Sequence, residues 1–118
     1  MTRLPRILIH AEGVVVAGVA LTGYFHAGYP WWLLLALALA PDLSMAGYLG
    51  GPRLGAACYN AAHTYAAPLT LLAIGIVTTT GAATEVALIW AIHIGVDRAL
   101  GYGLKYPDDF KRTHLQRL

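Results

Sequence analysis

Charge is scarce in this sequence. Only 12% of its 118 residues are Asp, Glu, Lys or Arg, about half of what a soluble domain carries. Such a chain cannot cover itself with a well-hydrated surface. Its net charge of +2 is too small to hold a phosphate backbone, so no nucleic-acid partner is expected. The one cysteine, Cys58, excludes an internal disulfide. It reads as a small buried apolar residue rather than a reactive thiol. In place of charge there is hydrocarbon. Apolar residues make up 58% of the chain, and the mean hydropathy is +0.58. That balance belongs to an integral membrane protein.

The apolar residues fall into four segments, each near the roughly 20 residues needed to cross a bilayer. They cover about 6–24, 31–49, 54–77 and 85–104, followed by a polar tail over 105–118. The turns between them read "HAGYP", "GGPR" and "TTTGAAT", rich in residues that stop helices. Arg3 and Arg6 precede the first segment as they would in a signal peptide. His10 and Glu12 interrupt that segment and no clean small-x-small site follows, so a retained first helix is expected. The predicted fold is all-α: one domain, 1–118, built as a transmembrane four-helix bundle.

Arg3, Arg6, Arg53, Lys105, Lys111, Arg112 and Arg117 flank the segments on one side, and the other two connections contain no Lys or Arg. The positive-inside rule then puts both termini in the cytoplasm, in a multi-pass protein of the inner membrane. Trp31, Trp32, Tyr24 and Tyr29 would mark the outer interface, Tyr102 and Tyr106 the inner one. Gly13 and Ala17, with Gly95, Ala99 and Gly103, repeat every four residues. This spacing lets two helix backbones approach closely.

Against this background the buried polar residues stand out: Glu12, Asp42, Asn60, His63, His93, Asp97 and Arg98. Ionisable residues inside a membrane are expensive and mark functional sites. Counted from the cytoplasmic end of each segment, Glu12, Asp42, His63, His93 and Asp97 lie roughly 9 to 17 Å deep. All four helices thus send a polar group to one layer. His93 and Asp97 are four apart and share a helix face. Tyr59 and Asn60 precede His63 by four and three residues. Asp42 follows Pro41, which predicts a kink that frees a backbone carbonyl.

Three carboxylates and one guanidinium cannot be buried together as unpaired charges. A divalent cation would neutralise the excess. Carboxylates with imidazoles suit zinc, manganese or iron. Glu12, Asp42, His63, His93 and Asp97 are the expected ligands.

The strings "PDLSM-GYL", "YN--HTY--P" and "HIG-DR-LGYGLKYP--F--THL" cover nearly the whole chain. They resemble a family of small bacterial integral membrane proteins known as domain of unknown function 4260. The resemblance implies a short four-helix membrane protein and brings no activity with it. Its signature positions here would be Glu12, Asp42, Tyr59, Asn60, His63, Tyr65, His93, Asp97, Arg98, Tyr102, Lys105 and His114. "PDLS", a later "H-Y" and "H---D" are also similar to membrane-bound metal-dependent hydrolases. The early His-rich segment and "HR--THS" string of that family have no clear counterpart here.

The function expected is metal-dependent hydrolysis of a lipid or amphiphile. Asp42, His63, Asp97 and Arg98 would carry it, with Tyr59, Asn60, Tyr65, Tyr102, Lys105 and His114 in support. Arg98 and Lys105, nearer the headgroups, would hold a phosphate. The alternatives are an accessory subunit of a homo-oligomer or larger membrane complex, a proton- or ion-coupled transport component, and a bis-His haem protein. Three nearby carboxylates argue against haem, which is largely apolar.

Overall fold

The computed structural model describes residues 3–101, 105–106 and 109–113. The chain runs through α1 (Arg3–His26), α2 (Trp31–Leu37), a 3-10 segment (Ala40–Gly50), α3 (Pro52–His63), α4 (Ala66–Val77) and α5 (Gly81–Leu100). A short antiparallel ribbon follows, β1 (Lys105–Tyr106) paired with β2 (Asp109–Thr113), within the region expected as a polar tail. The fold is helical. Three stretches, Leu4–His26, Trp31–Gly50 and Pro52–Val77, are long and apolar enough to cross a membrane. The 20-residue α5 is about 30 Å long and carries Glu85, Asp97 and Arg98.

The second and third segments do not form the continuous helices expected over 31–49 and 54–77. Each breaks, and a proline explains each break. Pro41 has no N–H to donate and its ring crowds the carbonyl four residues back. The α-helix stops at Leu37, and the chain resumes as a 3-10 turn in which the Asp42 N–H bonds to the Leu39 carbonyl at 3.0 Å. Pro68 does the same to the third segment. Thr64 becomes extended (φ −98°, ψ 139°), which ends α3 at His63 and lets α4 begin at Ala66.

The hub of the packing is α5, with α1 on one side and α4 on the other; α3 packs against the 3-10 segment. The α1–α5 contact is made of glycine. A Cβ built on Gly13 would lie 2.6 Å from the Gly95 carbonyl oxygen, and one on Gly95 would lie 2.8 Å from the Gly13 carbonyl oxygen. The small-residue spacing therefore marks a true backbone approach. Further along, Ala20, Tyr24, Ile89, Ala91 and Ile92 form the buried core. Tyr24, expected at the interface, is instead fully buried and donates its hydroxyl to the Pro30 carbonyl at 2.6 Å. Trp31 and Trp32 are exposed.

Leu49 is 94% exposed, Val77 82% and Leu43 76%. In water such surfaces drive association; against lipid they are ordinary. α5 ends where Gly101 adopts φ 96° and donates its N–H to the Arg98 carbonyl at 3.2 Å, a left-handed cap that favours glycine.

Candidate metal centre

The two helix breaks leave carbonyl groups without their usual helical partners, and α5 uses them. In an unbroken helix the Ala38 carbonyl would accept the Asp42 N–H. That N–H has gone to Leu39, so Ala38 accepts from His93 Nδ1 at 2.6 Å. At the end of α3, the Ala62 carbonyl accepts Trp90 Nε1 at 2.5 Å and the His63 carbonyl accepts Arg98 Nη2 at 2.8 Å. Trp90, His93 and Arg98 thus fasten α5 to both broken segments through backbone oxygens.

His63 is oriented in the same manner. Its Nδ1 donates to the Tyr59 carbonyl at 2.8 Å, and its ring stacks on Tyr59 at 3.7 Å with an interplanar angle of 7°. A carbonyl can only accept, so both imidazoles carry a proton on Nδ1. The two Nε2 atoms face each other at 3.1 Å; deprotonated, each offers a lone pair to a cation. Asp42 Oδ1 lies 3.0 Å from His63 Nε2 and 3.1 Å from His93 Nε2. Asp97 Oδ2 lies 3.5 and 3.3 Å from the same two atoms. Two nitrogens and two oxygens therefore converge, all within 4.8 Å of one another.

A tetrahedral ion with bonds near 2.0–2.1 Å has ligand atoms about 3.3 Å apart. The nitrogen–nitrogen separation and the four nitrogen–oxygen separations run from 3.0 to 3.5 Å. The second ring nitrogen of each histidine is held by a carbonyl, the support that metal-binding imidazoles commonly have. The donor set is of a kind that could hold a divalent cation, and these five separations are of the size such an ion sets. It leaves no slot for a macrocycle between the rings.

The family model for DUF4260, a domain of unknown function, matches residues 6–118. The chain belongs to that family. No curated protein and no solved structure matches it, so the likeness to membrane-bound metal-dependent hydrolases has no support beyond its strings.

In this DUF4260 chain, Asp42, His63, His93 and Asp97 come together as a group. Glu12 is exposed on α1 and lies outside it. Arg98 is not at a rim. It is 5% exposed, with its guanidinium 5.8 Å over the Tyr65 ring and one nitrogen on the His63 carbonyl. Tyr59 is buried beneath His63, and Asn60 is half-buried on α3. Tyr102, His114 and the Lys105 side chain lie outside the described residues. Trp90 and the Ala38 carbonyl were not singled out from the sequence. Pro68 was the signal for the second break, by the same reasoning applied to Pro41.

Exposure within the group is uneven. The His63 and His93 side chains are 0% and 5% exposed, Asp97 is 16% and Asp42 is 34%. The centre is closed on the histidine side and opens at the carboxylates.

Proposed function

We propose that this protein is a metal-dependent hydrolase of the cytoplasmic (inner) membrane, with both termini in the cytoplasm. Asp42, His63, His93 and Asp97 would hold one divalent cation, zinc being the ion whose size and softness suit the set. The observation that carries this reading is the facing pair of Nε2 atoms, 3.1 Å apart and flanked by two carboxylates.

A bound cation lowers the pKa of its water to about 7 and polarises a substrate carbonyl or phosphoryl oxygen. Catalytic sites keep one position for that water. Asp42 is the ligand suited to yield it. It is the most exposed of the four, on a segment with no buried residue. Its carboxylate would serve as general base toward that water. His63, His93 and Asp97 would hold the ion. Arg98 positions His63 by holding the end of α3.

The direct test is metal analysis of protein purified in mild detergent and dialysed against a zinc buffer. One equivalent in the wild type, lost in His63→Ala, is the expected result. No stoichiometric metal in the wild type would sink the proposal. It would leave a purely hydrogen-bonded layer, as in an accessory subunit of a larger membrane complex.

A further inference from the structure

One face of α5 is lined by residues spaced three and four apart: Val86, Ile89, Trp90, His93, Val96 and Leu100. This spacing keeps them in a single stripe along the helix. Two clefts lie against that stripe and share Ile89. The first, about 260 Å³, is walled on the far side by Leu37, Ala40 and Pro41 and is almost wholly apolar. The second, about 240 Å³, is walled by Leu34, Ala38 and Leu39, and Asp42, His93 and Asp97 also line it. Val86 to Leu100 spans about 21 Å of helix. The two clefts make a hydrocarbon-lined groove with the carboxylate face of the metal centre along it.

We propose that this groove holds the single alkyl chain of an amphiphilic substrate whose polar head reaches the metal. The assignment rests on Asp42, His63, His93 and Asp97 holding a cation, as proposed for the function. Two observations carry it. The centre is sealed at His63 and open at Asp42 and Asp97, and those carboxylates face the cleft together with His93. A small water-soluble substrate has no use for apolar walls on both sides of its reacting group. The second observation is shape. The two clefts, about 260 and 240 Å³, lie against a single stripe of α5 and share Ile89, which suits one extended chain lying along the helix. The Leu39 and Leu100 side chains, 71% and 67% exposed, form an apolar lip where a chain would enter from the bilayer.

The test uses protein loaded with cobalt(II), whose visible spectrum reports its ligands, in phosphatidylcholine nanodiscs. The probes are straight-chain alkyl hydroxamates of two to eight carbons, which bind metals through the head. Val86→Trp and Val86→Phe fill the first cleft, which none of the four ligands lines. Each added methylene gains about fourfold when buried, but partition into the lipid also favours long chains. The ratio of wild-type to variant affinity removes that common part. The expected ratio is near one for acetohydroxamate and grows to roughly tenfold at eight carbons, the equivalent of about one to two of the six added methylenes losing a buried place. If Val86→Trp fails to fold, Val86→Phe carries the comparison.

A ratio that stays flat with chain length would overturn the groove assignment and leave the metal centre intact. So would a cobalt spectrum that no hydroxamate perturbs. Such results would mean that lipid or a second copy of the chain covers this face. Absence of a cobalt spectrum altogether would remove the metal reading, and the groove assignment with it.

Discussion

His63 and His93 point their Nε2 atoms at each other across 3.1 Å, although they come from different helices and each ring is pinned from behind by a backbone carbonyl. Neither ring can turn away without losing its carbonyl. The pair is therefore preorganised for a shared ligand, which lowers the ordering cost of binding. Replacing either histidine by alanine should abolish stoichiometric zinc while the helical circular dichroism persists. Retention of a full equivalent in both variants would contradict the assignment.

Asp42 and Asp97 should not behave alike. If Asp42 gives way to water, Asp42→Asn keeps the ion at reduced affinity and loses turnover. Asp97→Asn loses the ion. Zinc titration against a chromogenic chelator separates the two outcomes. Equal losses of metal would mean that both carboxylates are permanent ligands.

Arg98 supports the site through its bond to the His63 carbonyl. Changes in groups that orient a metal ligand typically weaken binding by about 10–100-fold. Arg98→Gln should fall in that range and stay folded, because glutamine can still donate to the carbonyl. Arg98→Leu cannot, and should weaken the metal further. Unchanged affinity in both variants would show that His63 needs no such support.

Pro41 makes the Ala38 carbonyl available to His93. Pro41→Ala restores an N–H and permits a continuous helix. The carbonyl then returns to its helical partner and His93 loses its anchor. Zinc affinity should drop by about tenfold or more, while helical content stays the same or rises. Unchanged zinc affinity would show the break to be held by other contacts.

Gly95 tests the frame rather than the site. The nearest backbone atoms of α1 lie 2.8 Å from where a Cβ would sit. Gly95→Ala must push α1 and α5 apart, at a cost of about 1–3 kcal/mol. Thermal unfolding in detergent would register it as a lower midpoint. Gly18, with open space around it, serves as the control and should tolerate alanine.

Much of the centre can be read from residue types and spacing. His93 and Asp97 share a face by their separation of four. Asp42 is marked by the proline before it, and His63 by its depth. Counting depth along helices brings these four to one layer, since rise per residue is nearly constant. The same count includes Glu12, because depth says nothing about which way a side chain faces around the helix axis. Glu12 faces outward from α1. Arg98 is misplaced for a related reason. A charge one residue from a ligand is expected to reach for headgroups, whereas the end of α3 offers it a buried acceptor. That acceptor exists only because of Pro68, and a carbonyl freed by a distant proline has no signature at its own position.

The bonds from Trp90, His93 and Arg98 all end on backbone oxygens, at Ala62, Ala38 and His63. Every amino acid supplies that oxygen. Positions 38 and 62 are thus free to vary among relatives without disturbing these contacts, and correlated substitution across the interface is not expected there. Evolutionary constraint should fall elsewhere: on the two prolines that interrupt the helices, and on the donor side chains of α5. Coupling methods that look for paired changes would pass over the contacts that set this site, whereas a plain record of invariant prolines would find them.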